Sequence, residues 1–237
     1  MYFETNKLVY DKFKDLKNYE NHLVFAGNKY SDEFRKQILN KEKFKKDFNI
    51  KANQKVVFLI GSWKSSSLFH KLGKDIFDEL KRLAKNEKYK FMVSIHPNEY
   101  RNYSKVTEPF GKYVDELANF GIIVRKPGTD MMPYLYASDI VISDFSSMTE
   151  NAVMAEKDII FSEFDDNLLF AYSSAYRLKK IVPILSKASD LENIIKQPYP
   201  KEIKKEILKI KAEMETPEGF YAELCKKTTK ELLNKQG

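Results

Sequence analysis

The chain has 237 residues, of which 43% are hydrophobic and 14% aromatic, so it can bury a core and is not expected to be disordered. Its net charge of +7 comes mostly from lysines interleaved with acidic residues, which is typical of solvated helix surfaces, and we expect no nucleic acid partner. The one cysteine, Cys225, excludes an internal disulfide and a cysteine-based metal site, and we expect no metal. No apolar stretch approaches the roughly 18 residues of a membrane span, and no signal core follows Met1, so we expect a cytoplasmic protein.

Apolar, β-branched runs predict six strands, and helical patterns lie between them. The predicted strands are His22–Gly27, Lys55–Gly61, Lys90–His96, Gly121–Arg125, Asp139–Ser143 and Asp158–Ser162. The predicted helices are Ser31–Phe48, Ser67–Asn86, Tyr113–Asn119, Met131–Ala137 and Ser147–Glu156. This alternation predicts an α/β fold with a Rossmann-like, doubly wound parallel sheet that is covered by helices on both faces.

The predicted elements divide the chain into three parts. These are an N-terminal connecting segment over residues 1–21, a Rossmann-like domain over 22–189, and lysine-rich helices over 190–237 without a further strand. Gly73 and Lys74 are placed inside the helix Ser67–Asn86, because no glycine-rich loop precedes them. The sequence holds neither a GxxxxGK[ST] loop nor a GxGxxG, GxSxG or HExxH motif, which excludes several enzyme classes.

Small hydroxyls, glycine or an imidazole follow four of the predicted strands. The residues concerned are Gly61, Ser62 and Trp63 after the second strand, His96 and Pro97 after the third, Thr129, Asp130 and Met131 after the fourth, and Ser143, Asp144, Ser146 and Ser147 after the fifth. Ligands of open parallel sheets bind beyond the carboxyl ends of the strands. The sequence therefore predicts a ligand site at this edge of the sheet.

His96 is the first candidate at this edge. Pro97 cannot continue a strand and favours extended backbone in the preceding residue, so it fixes His96 at the strand end. The imidazole could donate to a phosphate oxygen or titrate near neutral pH. The alternative is a structural histidine whose ring is hydrogen-bonded to a nearby carbonyl.

The segment after the fifth strand fits two interpretations. Ser147 and Glu150 have capping-box spacing, which predicts an ordinary helix start. The same turn would direct unpaired backbone N–H groups and the positive end of the helix dipole toward the ligand edge, as a phosphate site requires. Thr129 and Asp130 precede the next predicted helix in a similar way.

Three segments resemble one protein family. They are SIHPN (94–98), DMMPYLYASD (130–139) and VISDFSSMTENAVMAEKDIIF (141–161), with weaker echoes in VFAGNKYSDEF (24–34) and KVVFLIGSW (55–63). Together they resemble the CDP-glycerol glycerophosphotransferases, which make teichoic-acid-like and capsule polymers, over roughly residues 23–164. The resemblance implies a GT-B architecture of two Rossmann-like halves, of which this chain would be the C-terminal, donor-nucleotide-binding half.

The resemblance also implies roles for the residues at the strand ends. His96 would be catalytic and contact the donor diphosphate, Ser146 and Ser147 would bind phosphate, and Thr129, Asp130 and Glu150 would surround the nucleotide. The neighbouring Gly61, Ser62, Trp63, Pro97, Met131, Ser143 and Asp144 would line the same site. His-Pro and Ser-Ser motifs also occur in GT-B sialyltransferases that bind CMP, which favours a cytidine nucleotide as the substrate, with no cofactor.

The acceptor side of such an enzyme has no counterpart in the sequence. The family has a His-Gly motif that is interpreted as the source of its catalytic base, and this motif does not occur here. We expect an N-terminal acceptor-binding half or a partner subunit to supply it, and a polymer or a lipid-linked molecule as acceptor. Lysines in residues 201–211 would favour an anionic membrane surface. The alternatives are a GT-B enzyme with another CMP- or CDP-activated donor, and a nucleotide-binding module without catalysis.

Overall fold

The computed structural model describes residues 2–17, 19, 22–100, 110–169 and 172–234. The strands are β1 (Tyr2–Glu4), β2 (Leu23–Phe25), β3 (Lys55–Ile60), β4 (Tyr89–Ser94), β5 (Ile123–Val124), β6 (Ile140–Ser143), β7 (Asp158–Ser162) and β8 (Ile184–Leu185). The helices are α1 (Lys7–Phe13), α2 (Ser31–Gln37), α3 (Lys41–Asp47), α4 (Leu68–Leu72), α5 (Asp75–Leu83), α6 (Pro97–Tyr100), α7 (Gly111–Leu117), α8 (Met132–Ala137), α9 (Met148–Met154), α10 (Ser174–Lys179), α11 (Leu191–Lys196), α12 (Lys201–Met214) and α13 (Phe220–Asn234).

Six strands form one parallel sheet in the order β5-β4-β3-β6-β7-β8. The chain moves outward from β3 to β5, then returns to the other side of β3 with β6 and continues to β8. The predicted α/β, Rossmann-like, doubly wound architecture is therefore confirmed. The direction of winding reverses between β3 and β6, and such switch points are where open parallel sheets bind their ligands.

The apolar runs of the central strands are explained by burial on both faces. Val56, Phe58 and Ile60 pack into the core on one side of the sheet. Val57 and Leu59 pack into the core on the other side. Successive side chains of a strand alternate between the two faces, so a strand that is covered twice needs a continuous apolar sequence.

The first strand predicted from the sequence lies outside this sheet. Leu23–Phe25 pairs in parallel with Tyr2–Glu4 in a two-stranded sheet, with α1 between the two strands. Residues 2–25 thus contain a small βαβ unit that crosses the expected boundary at residue 22. The sequence predicts neither β1 nor the two-residue β8, because both are too short to show a period.

Two helices predicted as continuous are interrupted. Gly73 ends α4 with a φ of +63°, so it does not lie inside a helix as expected. Glycine adopts this backbone conformation readily, which makes it a frequent helix terminator. The predicted helix Ser31–Phe48 is α2 and α3 joined by a 3-10 turn at Ile38–Asn40, where the Asn40 amide donates to the Lys36 carbonyl.

The C-terminal helices pack on the main sheet's helical layer. Helix α12 buries one stripe, Ile203, Ile207, Ile210 and Met214, which joins the same core as Phe58. Arg177 on α10 fixes α12 from the side, because its guanidinium pairs with Glu206 and Glu213 at 2.6 and 2.5 Å. No helix in the described ranges combines the length and the apolar character that crossing a bilayer requires.

Candidate functional site at the carboxyl edge of the sheet

Asp144 connects the two loops at the switch point between β3 and β6. Its side chain is fully buried, and Oδ2 accepts hydrogen bonds from the backbone nitrogen of Ser62 at 2.7 Å, the Ser62 hydroxyl at 2.9 Å and the nitrogen of Leu68 at 3.0 Å. Its Oδ1 accepts from the nitrogen of Ser146 at 3.1 Å. Asp144 therefore joins the loop after β3 to the turn after β6, and burial raises its pKa while these hydrogen bonds oppose the rise.

His96 stands at the end of β4 with one ring nitrogen already engaged. Its Nδ1 accepts the backbone N–H of Asn98 at 3.1 Å. In the neutral imidazole the proton is then on Nε2, which is left as a donor. Burial lowers the pKa of His96 and the charge of Arg125 lowers it further, whereas Glu99 and Asp144 raise it. The neutral, Nε2-protonated form is thus favoured near pH 7.

Trp63 and His96 form an aromatic pair at this edge. Their ring centroids lie 5.9 Å apart with an interplanar angle of 19°, a stacked arrangement. The ammonium of Lys64 lies 4.5 Å from the centre of the Trp63 ring. The loop after β3 and the end of β4 therefore meet, as the sequence predicts for parallel strands.

Glu99 organises the loop after β3, a role that the sequence does not predict. It is 3% exposed, and its Oε1 accepts the backbone N–H of Lys64 at 2.7 Å while Oε2 contacts Nε2 of His70 at 2.8 Å. Lys64 has a φ of +77°, which is strained for a residue with a side chain. The Glu99 carboxylate compensates this strain by fixing the Lys64 amide. No sequence signal marks this role, because Glu99 lies on α6, whereas Lys64 lies in the loop after β3 and His70 on α4.

One of the predicted residues after β5, Thr129, contacts a buried arginine. Nη1 of Arg125 donates to the Thr129 carbonyl at 2.5 Å, and the Thr129 hydroxyl donates to the Lys126 carbonyl at 2.7 Å. Asp130 is exposed and accepts the backbone N–H of Met132 at 3.1 Å, which forms an Asx turn directly before α8. Met131, which is partly buried, packs against the core.

The predicted capping box after β6 does not form. Ser147 has φ −60° and ψ −14°, which is helical backbone, and its side chain makes no capping hydrogen bond. A capping serine needs extended backbone to direct its oxygen at the helix start. Asp144 binds the Ser146 amide instead, and the Ser143 and Ser146 hydroxyls lie 3.1 Å apart. Ser147 is left exposed at the surface.

Glu150 faces the N-terminal βαβ unit rather than the rest of the predicted set. Its Oε2 accepts the Thr5 hydroxyl at 3.1 Å. Burial raises the pKa of Glu150, the Thr5 hydrogen bond opposes the rise and the Glu4 charge adds to it. Ser147 and Glu150 line a cavity of about 420 Å³ together with Thr5, Asn28, Tyr30 and Tyr221. This cavity lies between the N-terminal unit and α9.

The structure thus brings part of the predicted set into contact. Hydrogen bonds connect Ser62, Asp144, Ser146 and Ser143, and stacking connects Trp63 with His96. Gly61 is buried where β3 ends. Within the described ranges, no three His, Cys, Asp or Glu side chains are grouped so that they could hold a metal ion.

Solved structures of two kinds of enzyme share this fold. The wall teichoic acid polymerase TagF superposes with a TM-score of 0.61 at 16% identity, over 98% of this chain and 58% of that one. The trehalose 6-phosphate synthase from Burkholderia multivorans superposes with a TM-score of 0.53 at 13% identity, over 91% of this chain and 52% of that one. These likenesses confirm the Rossmann-like fold that the expected GT-B architecture requires.

The likenesses extend to the fold and not to the sequence. This chain spans little more than half the length of the solved structures it resembles. No protein-family model matches the chain. No curated protein matches it in sequence either.

Proposed function

We propose that this chain is a glycerophosphotransferase, or the donor-binding half of one, that transfers glycerol phosphate from CDP-glycerol to a cell-surface polymer or lipid-linked acceptor and releases CMP. The observation that supports this most is the switch point of the sheet, where Asp144 hydrogen-bonds Ser62 and Ser146, with His96 at the neighbouring strand end. Phosphorylated ligands of doubly wound sheets bind at such points. The fold shared with the teichoic acid polymerase TagF supports the same proposal.

In the proposed reaction an acceptor hydroxyl attacks the β-phosphorus of CDP-glycerol. The bond between this phosphorus and the oxygen bridging to the α-phosphate breaks, and its electron pair leaves with CMP. Catalysis of this kind consists mainly of positioning and of stabilising charge on phosphate oxygens. The Nε2–H of His96 and the hydroxyl of Ser146 are the donors proposed for the diphosphate. The base that takes the acceptor's proton would come from an acceptor-binding half or a partner subunit.

Calorimetric titration tests the donor site. We expect CMP, CDP and CDP-glycerol to bind more tightly than UDP, and His96→Ala to weaken CDP-glycerol binding by about tenfold or more, as expected for a lost hydrogen bond to a charged group. His22→Ala is the matched control, because His22 is exposed and directly precedes β2, which belongs to the two-stranded sheet and not to the main sheet. Equal affinity of the His96→Ala variant would contradict the role of His96.

Release of CMP from CDP-glycerol separates the transferase from the two alternatives. Turnover with an acceptor supports the proposal, whether with this chain alone or with an added acceptor-binding half. Selective binding of a different cytidine-activated sugar favours a GT-B enzyme with another donor. Binding without turnover under any of these conditions favours a nucleotide-binding module.

A lipid-linked acceptor would place the protein at an anionic membrane. Helix α12 supports this, because it buries its isoleucines and exposes Lys201, Lys204, Lys205 and Lys209. We expect the protein to co-sediment with phosphatidylglycerol vesicles at low salt but not with phosphatidylcholine vesicles. Charge reversal of Lys201 and Lys205 to glutamate should reduce this binding, and unchanged binding would contradict the membrane proposal.

A further inference from the structure

Arg125 is a buried cation that forms no ion pair with any carboxylate in the part of the chain that the structure describes. It is 7% exposed, and burial lowers the pKa of its guanidinium, while the nearby Tyr134 and Asp130 raise it. Arg177, by comparison, is neutralised by two glutamates at 2.6 and 2.5 Å. An arginine that stays charged and buried without a counter-ion is costly, so its setting requires an explanation.

The hydrogen bonds of Arg125 satisfy only part of the guanidinium. Nε donates to the Ser94 hydroxyl at 2.8 Å, and Nη1 donates to the Thr129 carbonyl at 2.5 Å. Nη2 has no acceptor among the described residues. The acceptors that are present are neutral, and the nearby Asp130 forms no ion pair with the guanidinium in the described part of the chain, so the charge is only partly balanced.

The position of Arg125 places this charge at the candidate site. It follows β5, and its backbone nitrogen donates to the Val93 carbonyl of β4 at 2.9 Å. Ser94, which its Nε contacts, is two residues before His96. The charge of Arg125 is also close enough to lower the pKa of His96. The guanidinium and the imidazole therefore lie at adjacent strand ends on the ligand edge.

The two neighbouring lysines differ from Arg125 in both burial and pairing. Lys126 is exposed and pairs with Asp115 at 3.4 Å. Lys64 is exposed and lies over Trp63. Exposed ammonium groups are hydrated and contribute little to a fixed site. Arg125 alone of these three cations is held rigidly in a desolvated position.

We propose that Arg125 is an anion-binding residue of the site, which contacts a phosphate group of the nucleotide through Nη2 and gains its missing counter-charge from the ligand. This inference rests on the proposed function for the identity of the nucleotide, and on the geometry of Arg125 for the anion. A guanidinium fixed by its own hydrogen bonds presents its remaining N–H groups in a defined plane, which suits phosphate oxygens.

The test compares ligands that differ in phosphate content. Calorimetry with cytidine, CMP, CDP and inorganic pyrophosphate is run on the wild type, Arg125→Met, Arg125→Lys and Arg177→Met. We expect Arg125→Met to weaken CDP and pyrophosphate binding by about 10- to 100-fold, with cytidine binding unchanged. Arg125→Lys should keep part of the affinity, and its salt dependence should remain. Arg177→Met removes a half-buried guanidinium that pairs with Glu206 and Glu213 of α12 and is not among the residues of the candidate site, so it should bind as the wild type does.

The outcomes test the anion-binding role of Arg125 separately from the proposed function. Equal CDP binding by Arg125→Met, or an equal loss for cytidine and CDP, overturns the role of Arg125, because a purely structural arginine would behave in one of these ways. If the wild type binds pyrophosphate but does not select cytidine nucleotides, and Arg125→Met loses that binding, the anion site stands and the proposed function fails. If Arg125→Met does not fold, Arg125→Lys decides, and wild-type CDP affinity in that variant overturns the need for a guanidinium.

Discussion

The carboxylate of Asp144 lies 2.7 Å from the backbone nitrogen of Ser62, and this contact links two loops that are 82 residues apart in the chain. Its hydrogen-bond partners in the described residues, including the Ser62 hydroxyl and the Leu68 amide, can all act as donors. A carboxylate, which accepts on both oxygens, fits this position in a way that an amide does not.

Asp144→Asn should therefore destabilise the protein. The new amide NH₂ would face an N–H donor in a fully buried site, so we expect a loss of about 1–3 kcal/mol in the free energy of unfolding. Urea denaturation measures this loss. Ser62→Ala removes one donor and leaves the carboxylate intact, and it should cost only about 0.5–1.5 kcal/mol. An Asp144→Asn variant as stable as the wild type would refute the role of Asp144.

Gly61 is required by packing rather than by backbone conformation. A Cβ atom at this position would lie 2.5 Å from Cδ2 of Phe69, whose ring is fully buried and stacks on Phe77 at 5.6 Å. Gly61→Ala should cost about 1–3 kcal/mol in unfolding free energy, because neither ring can shift easily. In a Phe69→Leu background the same substitution should cost clearly less. A double-mutant cycle by urea denaturation tests this coupling, and simple additivity would contradict it.

Lys157 gives the stability a pH dependence. It is 7% exposed, its Nζ donates to the carbonyls of Tyr136 and Ser138, and burial lowers its pKa to about 7. Above this pH the unfolded chain holds a proton that the folded chain has lost, so stability rises with pH. We expect a gain of up to about 1.4 kcal/mol per pH unit between pH 7 and 9, relative to Lys157→Met.

Denaturation at pH 7, 8 and 9 measures this gain. Lys157→Met itself should be less stable at every pH, because two carbonyls lose their donor, so only the slope is diagnostic. Lys205→Met at an exposed position of α12 should keep the wild-type slope. Parallel slopes for the wild type and Lys157→Met would disprove the assignment.

Glu150 should give the stability a pH dependence opposite to that of Lys157. Because its pKa is raised in the folded protein, the folded state retains a proton that the unfolded state loses as the pH rises through 4.5 and above. This titration lowers stability toward neutral pH. Glu150→Gln should thus be equally stable near pH 4 and no less stable than the wild type at pH 7. Thr5→Val removes the donor to the carboxylate and should lower stability mainly at pH 7. Thermal melts at both pH values test the pair.

The sequence by itself determined five of the six strands of the main sheet and which residues follow their carboxyl ends. The strands around Phe58, Met92 and Val141 could be read locally, because a strand buried on both faces must be continuously apolar. Parallel strands bring their carboxyl ends to one edge, so Ser62, His96, Asp144 and Ser146 could be grouped from their positions alone.

Only the tertiary structure decided which of these side chains are in contact, which are buried and which form ion pairs. Glu150 bonds Thr5 across 145 residues instead of capping its own helix, and Glu99 fixes the loop that carries Lys64. Arg125 and Lys126 are adjacent in sequence, yet Arg125 is buried and forms no ion pair with the described residues, whereas Lys126 is exposed and pairs with Asp115. Burial and pairing depend on residues that are distant in the chain, and local periodicity carries no information about them.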